Sequence, residues 1–88
     1  MGYLKTMVVV HRAHGFRFVI YTLDHEPAHV HITGAGQAKI NLLGADGKPE
    51  MVQSAGIKRA DMRRLMAQAE EYQAHFLAEW EKIHGSKD

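Results

Sequence analysis

The 88 residues contain no cysteine. Disulfide stapling, thiol catalysis and a Cys-based zinc site are therefore excluded. No apolar run approaches the ~18–20 residues of a membrane span, and no charged n-region with an apolar h-region precedes the first strand candidate. A cytoplasmic protein that makes no membrane contact is the expectation. The opening Met1-Gly2-Tyr3-Leu4-Lys5-Thr6 fits a loose N-myristoylation pattern, with the bulky Tyr3 counting against it. Net charge is scarce as well, since eleven Lys and Arg face ten Asp and Glu. With 45% hydrophobic residues, this is no disordered tail. Repeats, linkers and low-complexity tracts are absent from the sequence, so a single domain over residues 1–88 is expected.

What is present is unevenly placed. Lys5, Arg12 and Arg17 make residues 1–21 basic, whereas Glu70, Glu71, Glu79 and Glu81 make the rear acidic. Such segregation matters for partners even when the net charge is near zero. There are seven histidines, and His25, His29 and His31 fall together.

The first half of the chain has a period of two. Met7–Ala13 is β-branched and apolar, and Phe16–Leu23 is a second such run. His14-Gly15 between them predicts a two-residue hairpin turn. His29–Thr33 and Ala38–Leu43 alternate cleanly as third and fourth strands, and Glu50–Ser54 is a candidate edge strand. The period then changes: Met62, Leu65, Met66, Ala69, Tyr72, Phe76, Trp80 and Ile83 form one apolar helical stripe. The expected fold is α+β, a two-layer antiparallel β-meander of four or five strands over about 7–54. One long C-terminal helix over about 58–84 covers one face, with a break near Gln73-Ala74 possible at that length.

The alternation assigns the faces. A two-residue turn at His14-Gly15 sets Ala13 opposite Phe16, His11 opposite Phe18 and Val9 opposite Ile20. These join Val30, Ile32, Ile40 and Leu42 under the helix. Val8, Val10, Arg12, Arg17, Val19, Tyr21, His29, His31, Lys39 and Asn41 fall on the open face, with Asp24 and His25 in the loop at its edge. Val8, Val10 and Val19 would then be an apolar patch that suggests a partner or a homodimer. A one-residue slip would invert any of these assignments.

Three readings of the open face compete. In the first, His29, His31 and Lys39 perform acid–base chemistry on a phosphodiester, since imidazole titrates near neutrality and a fixed cation stabilises phosphorane charge. Arg17, Tyr21 and Asn41 would then contact an RNA substrate, and no cofactor is needed. In the second, His29 and His31 point the same way from one strand and chelate a divalent transition metal. Asp24, His25 or Glu26 would complete the site, and a 2-His-1-carboxylate set, with Asp24 the first choice, would suit Fe(II), Mn(II) or Zn(II). In the third, Asp24 accepts loop amides, His25 caps the loop, Pro27 sets the chain direction, and the two strand histidines are solvated. His11, expected inward, reads as a hydrogen-bonded core residue; His75 and His84 read as wet helix surface, as do Arg63, Gln68, Glu71, Glu79 and Lys82 between the stripe positions. Lys58, Arg59, Arg63 and Arg64 make a basic helix start.

The stretch Asp24-His25-Glu26-Pro27-Ala28-His29-Val30-His31 resembles a family of small bacterial and archaeal proteins, a domain of unknown function with the signature D-H-x-P-x-H-x-H. The resemblance extends to Gly15-Phe16-Arg17-Phe18, to Ala38-Lys39 and to the helix close Phe76-Leu77-Ala78-Glu79-Trp80, covering roughly residues 7–84. It implies the toxin half of a bacterial two-gene toxin–antitoxin module, with a cognate antitoxin or other small protein as partner. Asp24, His25, Pro27, His29, His31 and Lys39 fall on signature positions. Ala28, where the family often has proline, and the long Gly44–Gly56 stretch depart from it. A non-enzymatic protein- or metal-binding module using the same histidine face is the alternative.

Overall fold

A computed structural model describes residues 6–85. The myristoylation-like opening, apart from Thr6, lies outside the described residues. Five strands follow in chain order: β1 (Met7–Ala13), β2 (Phe16–Tyr21), β3 (His29–Thr33), β4 (Gln37–Asn41) and β5 (Glu50–Ala55). They form one open antiparallel sheet in the order β1-β2-β3-β4-β5. The β1–β2 turn is tight because both of its residues take positive φ, 55° at His14 and 81° at Gly15. That pairing of left-handed residues matches the twist of the flanking strands.

The core lies on one face of this sheet. Phe16, Phe18, Ile20, Val30, Ile32, Ala38, Ile40 and Leu42 pack against Leu65, Ala69, Phe76 and Trp80 of the helical layer. Met62, Met66, Tyr72 and Ile83 flank the cluster, so the stripe read from the sequence is the buried one. His11 lies inward too. Its Nε2 is 2.7 Å from Gln68 Oε1 and its ring centroid 4.3 Å from that of Tyr72. Gln68 is therefore not on the wet side where the helical period places it. His84 differs as well, being half-buried with its ring 4.0 Å from Trp80. His75 is exposed.

Two expectations need correction. The helix is not single: α1 (Arg59–Glu71) and α2 (Gln73–His84) meet at Tyr72, whose φ of −105° and ψ of 17° interrupt the helix beside the Gln73-Ala74 position that its length suggested for a break. A straight helix of ~27 residues would run ~40 Å, about twice the ~17–24 Å of a five- to seven-residue strand. The bend lets both halves of the stripe reach the same small sheet. Gln73 fastens that corner, donating from Nε2 to the Leu42 carbonyl at 2.6 Å and the Gly47 carbonyl at 3.0 Å.

The second correction concerns β1. Ala13↔Phe16, Arg12↔Arg17 and His11↔Phe18 pair as expected. A bulge between Val9 and His11 then shifts the register to Val9↔Val19 and Val8↔Ile20. An extra residue on one strand reverses the alternation beyond it. Val8 thus shares the core side with Ile20, Val10 packs on the core, and Val9 turns to the open side. Val19 stays on the open side but is fully buried. The apolar patch expected from Val8, Val10 and Val19 does not form. No helix among the described residues is long and apolar enough to cross a membrane.

Candidate functional site

Paired residues on antiparallel strands share a face, and Phe16, Phe18 and Ile20 own the core side of β2. The other side therefore carries two cross-strand rows. One is Val9, Val19, His31, Lys39 and Gln53; beside it runs Arg12, Arg17, Thr33 and Gln37. His29 and Asn41 oppose each other one step along. Arg17, Tyr21, His31, Lys39 and Asn41 thus lie on the face the alternation assigns them.

The loop after β2 brings Asp24 back to this face. The Asp24 N–H donates to the Tyr21 carbonyl at 3.1 Å, and the Tyr21 N–H donates to Asp24 Oδ2 at 3.1 Å. The carboxylate does accept a loop amide, but its role does not end there. The same oxygen lies 3.2 Å from His29 Nε2 and 3.6 Å from His31 Nε2. Asp24, His29 and His31 each point one ligand atom into a space where all three lie within 4.8 Å of one another.

His29 is not a solvated strand residue: it is only 4% exposed. Its ring stands T-shaped to His31 with centroids 4.9 Å apart and leans on Trp80 at 5.2 Å. Trp80 Nε1–H in turn donates to Glu26 Oε2 at 3.2 Å, tying the loop to α2. His29 Nδ1 is 2.9 Å from the Pro27 carbonyl oxygen. A carbonyl only accepts, so Nδ1 carries the proton in that bond, and Nε2 is left facing Asp24. Pro27, in a cis peptide with Glu26, therefore contributes its carbonyl as well as a turn. His25 is exposed and stands outside the cluster.

His31 is half-buried, with the Tyr21 ring at 4.9 Å. Burial lowers its pKa below the usual 6.5; Asp24 opposes that shift, while His29 and Lys39 add to it. Lys39 and Gln53 continue the row. Together with His31, Gln37 and Ser54 they line a shallow cleft of about 240 Å³. Lys39, Arg17 and Arg12 have no carboxylate partner among the described residues. Asn41 Oδ1 is buried without a partner among them.

Gln53, Gln37 and Trp80 carry no site signal in the sequence, and Glu26, a candidate third ligand there, is instead bonded to Trp80. Gln53 could have been found from the β4–β5 pairing. The Glu26–Trp80 bond spans 54 residues and has no local signal.

Residues 15–81 match a protein family described as a domain of unknown function (DUF4160). No curated protein and no solved structure matches the chain significantly.

Proposed function

The chain belongs to the DUF4160 family, and from that premise we propose that it is the toxin-like member of a bacterial two-gene module, acting on RNA through its histidine-bearing sheet face. The observation that carries this reading is the unpaired charge of that face. Arg12 and Arg17 sit directly opposite each other in the β1–β2 ladder. Like charges in that position oppose folding unless something anionic joins them. Lys39 adds a third cation beside His31. A polyanion satisfies all three at once, with phosphates held by charge and bases free to stack on rings such as Tyr21.

The chemistry that suits this arrangement is phosphodiester cleavage. Lys39 stabilises charge on the phosphorane oxygens, Arg17 and Arg12 hold flanking phosphates, and Asn41 contacts the substrate. The Asp24–His29–His31 cluster lies beside that path and supplies the group that activates the nucleophile. His25 and Pro27 shape the loop that brings Asp24 in. A cognate antitoxin would silence the protein by covering this face, and an acidic surface on that partner would complement the three cations. The protein works in the cytoplasm on this reading.

Growth of a bacterial host after induced expression tests it. Wild type, the His29→Ala/His31→Ala variant and the Arg17→Ala/Lys39→Ala variant are compared at matched soluble levels. Arrest by wild type alone, with an RNA cleaved in vitro by wild type alone, is expected. Equal arrest by all three, or no arrest and no RNA bound by soluble wild type, overturns the proposal.

A further inference from the structure

We infer that Asp24 Oδ2, His29 Nε2 and His31 Nε2 form a binding site for one divalent transition-metal ion of the Zn(II), Mn(II) or Fe(II) class. Hydrogen-bond bookkeeping around His29 leads there. With its proton on Nδ1 and given to the Pro27 carbonyl, a neutral His29 presents a bare Nε2 lone pair to the Asp24 carboxylate at 3.2 Å. Two lone pairs facing each other in a buried place repel. Either a second proton or a cation must lie between them.

The distances favour the cation. A charge-assisted bond from an imidazolium to a carboxylate closes to about 2.7–2.9 Å. The two contacts to Asp24 Oδ2 are 3.2 and 3.6 Å. Bonds of about 2.0–2.1 Å meeting at a tetrahedral angle hold ligand atoms about 3.3 Å apart, which lies between those two values; the two imidazole nitrogens, within 4.8 Å of each other, would draw together around the ion. The surroundings also fit. A ligating histidine commonly gives its other N–H to a backbone carbonyl, which fixes the ring and its tautomer; the Pro27 carbonyl does this for His29. Trp80 packs on the same ring, and the Tyr21 N–H orients the carboxylate. Two imidazoles and one carboxylate suit these ions better than Mg(II) or Ca(II), which prefer oxygen. Three protein ligands leave a tetrahedral position for water or substrate. His31 is shared between the cluster and the Lys39-lined cleft, so the open position has a route to a bound phosphate.

The inference does not depend on RNA being the substrate, and its test is separate. Untagged full-length protein is stripped with chelator and titrated with Co(II) by absorption and with Zn(II) by calorimetry. One ion per chain is expected, with tetrahedral or five-coordinate Co(II) bands and a rise in melting temperature on Zn(II) addition. Asp24→Asn and His31→Gln, which spare the buried ring, should each weaken Zn(II) binding at least tenfold while the far-ultraviolet circular dichroism stays native. The His14→Ala/His75→Ala control should bind like wild type. No saturable one-to-one binding by folded wild type, wild-type affinity in both site variants, or loss of binding in the control overturns the site. Arg17→Ala/Lys39→Ala should lose RNA affinity and keep the metal, so the RNA reading and the metal site fail independently.

Discussion

The RNA reading makes a quantitative claim about salt. Each cation that meets a phosphate releases condensed counterions, and for single strands log K falls with log salt at about 0.7 per contact. Arg12, Arg17 and Lys39 lie on the open face without carboxylate partners among the described residues. Three contacts give a slope of about −2, so affinity falls about 18-fold between 50 and 200 mM salt. Arg17→Ala/Lys39→Ala leaves one contact, a slope of about −0.7 and a fall of only about 2.6-fold. Arg59→Ala/Arg63→Ala removes two exposed cations at the start of α1, away from this face, and should leave the slope at about −2. Fluorescence anisotropy of a labelled single-stranded RNA over that salt range reads all three slopes. A wild-type slope near zero, or a slope reduced by the α1 pair and untouched by the sheet pair, would refute the argument.

Three further expectations concern the scaffold. Gln73→Ala frees the Leu42 and Gly47 carbonyls and should cost about 1–2 kcal/mol in urea unfolding, with an unchanged slope m. Gly36→Ala puts a Cβ 2.5 Å from the Gly56 carbonyl carbon and oxygen and 2.6 Å from the Ala55 oxygen. Backbone cannot yield as a side-chain tip can, so a loss of about 1–3 kcal/mol is expected, seen as a melting temperature lower by several degrees. His14→Asn should raise the melting temperature. Asparagine tolerates the positive φ of 55° at the first turn position better than histidine, and Asn-Gly is the preferred pair there, for a gain of up to about 1 kcal/mol. A fall instead would mean that the His14 side chain has a stabilising role that the turn geometry does not explain.

Strand existence and the buried helical stripe were readable because each rests on a local period. Val30, Ile32, Ala38 and Ile40 alternate without interruption, and all are buried. The β1 register was readable only as far as His11, because a bulge has no signature in a run of valines. Val8, Val9 and Val10 are interchangeable to any pattern argument, and only contact with Ile20 and the core decides which turns inward. The helix break was readable as a length problem, and its expected place near Gln73-Ala74 falls one residue from the break at Tyr72, but what fixes it there was not readable. Tyr72 belongs to the apolar stripe on either side of it, and the bonds that fasten the corner run from Gln73 to carbonyls 31 and 26 residues away.

The site divides along the same line. Alternation places His29 and His31 on one side of β3, but treats them as equals, and they are not. His29 is closed in by Trp80 from α2 and by the Pro27 carbonyl, whereas His31 remains half-exposed beside the cleft. That asymmetry comes from the loop, which folds Asp24 against the Tyr21 amide and is tied to α2 through Glu26 and Trp80. It also separates the roles the two rings can take. The nearly buried ring with a committed Nδ1–H is suited to holding a fixed charge in place. The ring at the cleft is the one a substrate can reach. If His29 anchors an ion, His29→Ala should abolish Zn(II) binding and with it any RNA cleavage. Lys39→Ala should leave the ion in place and reduce only the RNA-dependent step. A chelator that stops cleavage by wild type, with Zn(II) or Mn(II) restoring it, would join the two proposals into one mechanism. Cleavage that survives chelation would keep the cationic face and remove the metal from the chemistry.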